Sequence, residues 1–444
     1  MKRIIAVCLT AFALAGCAPH QQYRTERSLC SAPESGSQCD AHAMQALKND
    51  SGQEYWLNFI EFDDQGQLWQ RKQMDDVLTR LDAAQEHLLI VVFVHGWKHS
   101  AEPGDANIET FKKVLSKLAA AEAYRARIGG SPARRVAGVY LGWRGSSVTF
   151  PGAKELTFWA RKSTAQRVGA VGVSEVLSRI ELVQRTKGTV LDGPNSTRVA
   201  VVGHSFGGAV VYTALAHILQ NRFISSAGPD GLQSAVVGFG NLVVLINPAF
   251  EASLYAPLSD MSFERNWYSP AQLPTLAILT SEADYATRYA FPAGRSVSTI
   301  FEYDREVERV NRTTRATERI DTGVANRSAI GHFEPYRTHT LYPVEHKARA
   351  SVPALSVENS AEIFKVALQA WRDDVPGSKI PFGELTLERT PNSAGRNPCM
   401  VIYVDGELID DHNDIDDQRI VEFLKQLISI SATGPGAAAL SLPK

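Results

Sequence analysis

The chain has 444 residues, 44% of them hydrophobic and 21% charged, with a formal net charge of -2. That balance is globular and excludes a disordered chain. It also argues against a nucleic-acid partner, which would favour a basic surface. Length allows one large α/β domain with insertions, and no internal repeat is visible.

The first residues read as an address, not as fold. Lys2 and Arg3 form a positive start, and Ile4–Leu14 is an apolar run too short to span a bilayer. Leu14-Ala15-Gly16-Cys17 follows and resembles the lipobox of bacterial lipoproteins. That resemblance implies a signal peptide over 1–16 and a lipid on Cys17. Ala18 after the cysteine, in place of aspartate, implies the outer membrane facing the periplasm. Residues 17–50 then read as a tether. Within them Cys30 and Cys39 bracket SAPESGSQ, and either close a local disulfide or stay two separate thiols. Cys399 is the odd one, at the start of an expected strand.

Tyr55–Phe62 alternates as a strand, Asp63–Gly66 turns, and Leu68–Arg71 is placed as the returning strand of a hairpin. Met74–Ala84 has helical spacing. His87–Val94 is an unbroken apolar run, the pattern of a strand buried on both faces, and it ends in His95-Gly96-Trp97. Ile108–Ala121 is an amphipathic helix. Arg135–Gly142 is the next strand, closed by Gly142-Trp143-Arg144-Gly145. Trp143 and Arg144 either line a site at the strand ends or are a packed tryptophan and a surface arginine. Residues 154–186 are helical.

Thr197–Leu215, TRVAVVGHSFGGAVVYTAL, is the organising stretch. A β-branched strand runs into a turn carrying Ser205, and a helix follows at once. GHSFG fits the G-x-S-x-G nucleophile elbow, in which small residues permit a sharp strand-to-helix turn. On this motif and its flanking elements the chain resembles the α/β-hydrolase family. The resemblance implies an α/β-hydrolase fold with a mostly parallel central sheet flanked by helices. The phrases FVHGWKHSA, YLGWRG and TFWARK are similar to a little-characterised group of bacterial hydrolases related to esterases and lipases. By the same resemblance, the Trp97 amide after the His-Gly turn pairs with the Phe206 amide as an oxyanion hole. The bland alternative is a tight turn, with His95 structural in either case.

Leu242–Asn247 and Thr275–Thr280 read as two further strands. The family places its acid after the second strand beyond the nucleophile, which selects Asp284, with Glu282 the near alternative. The hydrolase core is thus expected over 51–284 and again over 396–430. Residues 285–395 show little strand periodicity and read as an insertion and candidate lid, with a helix near Ala361–Trp371. Arg305, Arg309, Arg312, Arg315 and Arg319 would share one helical face, for anionic groups or as a solvated face paired with Glu308 and Glu318. Cys399–Val404 is the last strand, and a helix runs from about Asp417 to Ile428. The loop between them holds one histidine, His412, the family position of the catalytic base. His332 and His339 also follow the acid and compete. Residues 431–444 read as a flexible tail.

The order Ser205, Asp284, His412 implies a serine hydrolase of carboxylic (acyl) esters, with no metal or organic cofactor. The implied partners are a small-molecule or lipid acyl ester and the membrane. A thioesterase or peptidase on the same triad, or a non-catalytic scaffold on the same fold, remain the alternatives.

Overall fold

The computed structural model describes residues 18–33, 38–129, 132–147, 158–190, 196–227, 233–344, 360–415 and 417–431. Residues 1–17, on which the expected signal peptide and lipidated Cys17 fall, and residues 432–444 lie outside them. The strands are β1 (Glu26–Pro33), β2 (His42–Lys48), β3 (Glu54–Glu61), β4 (Leu88–Val94), β5 (Arg135–Gly142), β6 (Arg198–His204), β7 (Leu242–Ile246), β8 (Leu276–Ser281), β9 (Glu306–Val310), β10 (Thr317–Asp321), β11 (His339–Pro343), β12 (Lys379–Phe382), β13 (Leu385–Arg389) and β14 (Cys399–Val404). Twelve of them form one sheet in the order β1-β2-β3-β5-β4-β6-β7-β8-β14-β11-β13-β12. From β3 to β11 every neighbouring pair is parallel. The protein is therefore α/β, with a large, mostly parallel central sheet flanked by helices.

Alternation splits the buried strands between two cores. Ile90, Val92 and Val94 of β4 join Val199 and Val201 of β6 on the face covered by the helix Phe206–Ser225. Leu89, Val91, Phe93, Ala200 and Val202 face the other way, under the helices Ala106–Gly129 and Gln418–Ser431. Both faces are covered, which is why these strands read as continuous apolar runs. Each fully buried Val, Leu, Ile or Phe contributes roughly 1.5–3 kcal/mol, so the centre of the sheet is a rigid base for the loops at its ends.

The structure corrects three expectations. Residues 26–48 are not tether: β1 pairs with β2, β2 pairs antiparallel with β3, and Cys30 and Cys39 are disulfide-bonded with a Cα separation of 5.6 Å. Alternation in HAMQALK was the available signal, with Ala43, Gln45 and Leu47 buried. The segment 285–395 is not free of sheet: β11, β12 and β13 extend the main sheet beyond β14, and β9 and β10 form a separate hairpin. Its strands are only four or five residues long and bury charged residues in pairs, which hides their periodicity. The arginine row consequently straddles that hairpin and lies on no helix. Arg309 turns inward onto Phe263 and pairs with Glu318, whereas Arg319 faces solvent beside Glu306 and Glu308. A smaller difference is that Leu68 makes a single bridge to Phe62 and the helix Arg71–Ala83 begins where a strand was expected.

Candidate active site

The parallel strands all end at one edge of the sheet, and three loops there converge on Ser205. The serine follows β6 at φ 55°, ψ -120°, a conformation costing about 1–3 kcal/mol for a residue with a side chain. Its surroundings fix it. The Ser205 N–H donates to the Ile246 carbonyl at 2.9 Å, and its own carbonyl accepts from Ala249 N–H at 3.1 Å. The close approaches require glycine. A Cβ on Gly207 would collide with the Val94 carbonyl oxygen, and one on Gly96 would lie 2.7 Å from Ser205 Cβ.

His412 stands in the loop after β14. Its Nε2 is 2.6 Å from Ser205 Oγ and its Nδ1 is 2.9 Å from Asp284 Oδ2. The Asp284 carboxylate only accepts, so Nδ1 carries the proton and Nε2 is left to accept from the serine hydroxyl. Asp284 is fully buried in the turn after β8. Burial pushes its pKa up, but hydrogen bonds from His412 and Thr287, with the attraction of the imidazole, hold it below the ordinary carboxylate value. Thr287 supplies both its N–H, at 3.1 Å, and its hydroxyl to this carboxylate.

The competing residues lie elsewhere. His332 is one contact further back, its Nε2 donating to Thr287 Oγ1 at 3.0 Å, and burial lowers its pKa to about 4. His339 is buried on β11 with Nδ1 at 2.8 Å from Thr338 Oγ1. The Glu282 carboxylate accepts from Gly406 N–H at 3.1 Å and is exposed. The three residues brought together are therefore Ser205, His412 and Asp284.

The turn after β4 sits over the serine. Phe206 opens the elbow helix, and the first backbone N–H groups of a helix lack intrahelical partners. Among the described residues, neither the Trp97 nor the Phe206 amide donates within the protein. The two side chains are joined through Phe158, whose ring is 4.7 Å from that of Phe206 and 5.3 Å, edge-on, from that of Trp97. His95 and Trp143 brace this turn from below. Trp143 N–H donates to His95 Nε2 at 3.0 Å, Trp143 Nε1–H donates to the His95 carbonyl at 3.1 Å, and the rings stack at 5.5 Å. Burial lowers the His95 pKa to about 4, so it stays a neutral bracket. Trp143 is thus packed beneath the turn, and Arg144 is occupied with Asp64.

Two residues with a direct bearing on the site were not anticipated. His204 Nε2–H and the Asn247 side-chain amide both donate to the His412 carbonyl, at 2.9 and 3.1 Å. The signal for His204 lay within the motif itself, as a polar residue ending an otherwise apolar buried strand. Asn247 ends LVVLIN in the same way.

No family model and no curated protein matches the sequence. Among solved structures, phospholipase PlaB from Legionella pneumophila in complex with thio-NAD is similar over 57% of this chain and 45% of its own, at 13% identity and a TM-score of 0.21. This chain spans less than half of that protein, and a likeness of that size says nothing about activity.

Proposed function

We propose that the protein is a serine hydrolase of α/β-hydrolase type that cleaves carboxylic esters through an acyl-enzyme. The observation that carries this reading is the continuous hydrogen-bonded chain Ser205 Oγ, His412 Nε2, His412 Nδ1, Asp284 Oδ2. A serine hydroxyl is a weak nucleophile until a base takes its proton. His412 accepts that proton as Oγ attacks the acyl carbon, and Asp284 stabilises the resulting imidazolium. The Trp97 and Phe206 amides receive the oxyanion, and losing one such donor typically costs about 2.7–4 kcal/mol of barrier. His412 then protonates the leaving alcohol. Water, deprotonated by the same imidazole, attacks the acyl-serine and releases the acid.

The sequence supports a lipid on Cys17 and a place at the outer membrane facing the periplasm, which makes acyl lipids the favoured substrate class. The test is labelling of the purified, folded protein by a fluorophosphonate probe, alongside hydrolysis of acyl esters of graded chain length. Wild type should label and cleave, and Ser205→Ala and His412→Ala should do neither. A folded wild-type protein that takes up no probe would overturn the proposal.

A further inference from the structure

The described chain starts at a docked residue. Ala18 N–H donates to the Ser147 carbonyl at 2.9 Å, and its own carbonyl accepts from Arg144 Nη1 at 3.2 Å. Arg144 is held by Asp64, which Arg161 also grips at 2.8 Å. Three further contacts clamp the segment. Tyr23 and Arg24 donate their N–H groups to the Glu61 carboxylate at 2.9 and 2.8 Å, and His20 packs on Trp69 with ring centroids 5.0 Å apart. The Arg24 side chain is buried, with Nε–H donating to the Ala101 carbonyl at 2.8 Å and the guanidinium 4.1 Å from the centroid of the Phe59 ring. A lipid on Cys17 would therefore be attached one peptide, about 3.8 Å, from a fixed point beside the end of β5.

A second feature lies across the serine from this point. After Asp284 the chain runs through a π-helical turn, Ala286–Ala290, and the helix Phe291–Ser298 into a segment with a bare apolar surface. Ile300 is 72% exposed, Phe301 is 94% exposed and Tyr303 is fully exposed, and Tyr285 and Tyr289 add an exposed ring pair with centroids 5.1 Å apart. Apolar surface of this kind marks an interaction site, and tyrosines favour a wet apolar boundary. The neighbouring acids are engaged: Glu302 accepts from the Asn326 amide, and Asp304 pairs with Arg327 at 2.8 Å. Across residues 299–321 five arginines face six carboxylates, with Arg309 on Glu318 and Arg319 beside Glu308, so little net charge selects the partner.

Strand order relates the two features. Across β5-β4-β6-β7-β8, the serine follows the middle strand, the docked residue 18 sits by β5, and the aromatic segment springs from β8. Neighbouring strands are ~4.8 Å apart, so β5 and β8, from which the two features depart, each lie two strands, roughly 10 Å, to either side of the serine strand. The three strands end at the same edge because they are parallel, and the aromatic segment is tied there through Glu302 to Asn326, whose side chain meets Ser253 in the helix that follows β7. We infer that this edge is a bilayer-docking face, with the docked residue 18, next to the lipid-bearing cysteine, on one side of Ser205 and the Tyr285–Tyr303 aromatics on the other. The occupant is a neutral phospholipid surface, and the docked protein presents its serine to the acyl lipids there. The inference rests on the reading that Cys17 is acylated.

The test places an environment-sensitive bimane label at Phe301→Cys or at Gln85→Cys in the acylated full chain. Gln85 is exposed in the turn before β4, at the opposite edge. The native cysteines do not compete, since Cys8 is removed with residues 1–16 when the chain is acylated, Cys17 carries the lipid, Cys30 and Cys39 are paired and Cys399 is buried. On phosphatidylcholine vesicles with brominated acyl chains, the label at 301 should be quenched severalfold and the label at 85 unaffected. Equal quenching at the two sites, or none at 301 on vesicle-bound protein, overturns the docking face and leaves the anchor standing. Mass spectrometry of the N-terminal peptide reads the anchor separately, and an unmodified Cys17 overturns that reading together with its half of the face. In the Cys17→Ser chain, Phe301→Ser with Tyr303→Ser should weaken vesicle partition at least tenfold while hydrolysis of a short soluble ester is unchanged. Unchanged partition would overturn the aromatic half.

Discussion

His204 donates its Nε2–H to the backbone carbonyl of His412 across 2.9 Å, so the strand that delivers the serine also holds the loop that delivers the imidazole. Asn247 adds a second donor to the same carbonyl at 3.1 Å. Positioning of this kind acts on kcat rather than on substrate binding, because it sets the reach of Nε2 to the hydroxyl. His204→Phe should lower kcat on a soluble ester by about 10²-fold with little change in KM, and should slow fluorophosphonate labelling in proportion. Asn247→Leu should do the same to a smaller degree. A variant that stays folded with wild-type kcat would show that the contact positions nothing.

Asp284 and Glu282 are separated by their surroundings rather than by their chemistry. Asp284 is buried against His412 and Thr287, while Glu282 is exposed and accepts from Gly406. Asp284→Asn preserves shape but removes the acceptor that fixes the imidazole tautomer, and kcat should fall by about 10⁴-fold. Glu282→Gln should leave kcat within about twofold, since surface changes away from such features have small effects. His332 reaches the Asp284 carboxylate only through Thr287, so His332→Gln should cost far less than His412→Ala. Initial rates on one soluble ester decide all three.

The centre of the sheet and the turn at Ser205 were legible in the sequence for a physical reason, whereas Asp284 and His412 followed from the order of the family that the chain resembles. Strands buried on both faces must be apolar throughout, and the sharp turn at Ser205 demands small residues at fixed offsets. LLIVVFV, GHSFG and CMVIYV therefore announce both their conformation and their order. The periphery follows different rules. β1 and β2 lie at the sheet's edge with one polar face, and β9 to β13 are short and pair buried charges, as in Arg309 with Glu318. Such pairings put a charge where the inward side of a strand would carry an apolar residue, and so erase the periodic signature. The bracing of the His412 loop by His204 and Asn247 shows only as a polar residue ending each apolar strand, because a carbonyl as acceptor leaves no mark on residue identity.

Stability should depend on pH through histidines buried in neutral form. Burial lowers the pKa of His95 and His332 to about 4 and, with His412 nearby, that of His204 to about 3. Burial and Arg389 also hold His339 well below its ordinary value. Unfolded histidine titrates near 6.5, so below that pH the unfolded chain takes up protons that the folded chain refuses. Stability is thus full above about pH 6.5 and falls as pH drops toward 4, by up to about 1.4 kcal/mol per pH unit for each such histidine. The depressed pKa of Asp284 acts in the same direction at lower pH. Urea midpoints should be flat from pH 7 to 9 and decline steeply from 6.5 to 4.5. A flat profile across the lower window would mean that these histidines are hydrated or charged in the folded state.

The strands beyond β14 carry no catalytic residue, yet they support the one that precedes the His412 loop. β11 pairs with β14 on one side and β13 on the other. β13 ends in Arg389, which pairs fully buried with Asp374 and also donates to the Ala394 carbonyl at 2.6 Å. Removing one partner of a buried ion pair leaves the other charge uncompensated, at a cost of about 3–5 kcal/mol. Asp374→Ala should therefore lower stability by that amount in urea titration, whereas Asp374→Leu combined with Arg389→Met should recover most of the loss. Because the damage is to the support and not to the chemistry, the fraction still folded should retain near wild-type kcat. An Asp374→Ala protein of wild-type stability would show that this pair does not hold the sheet's far edge.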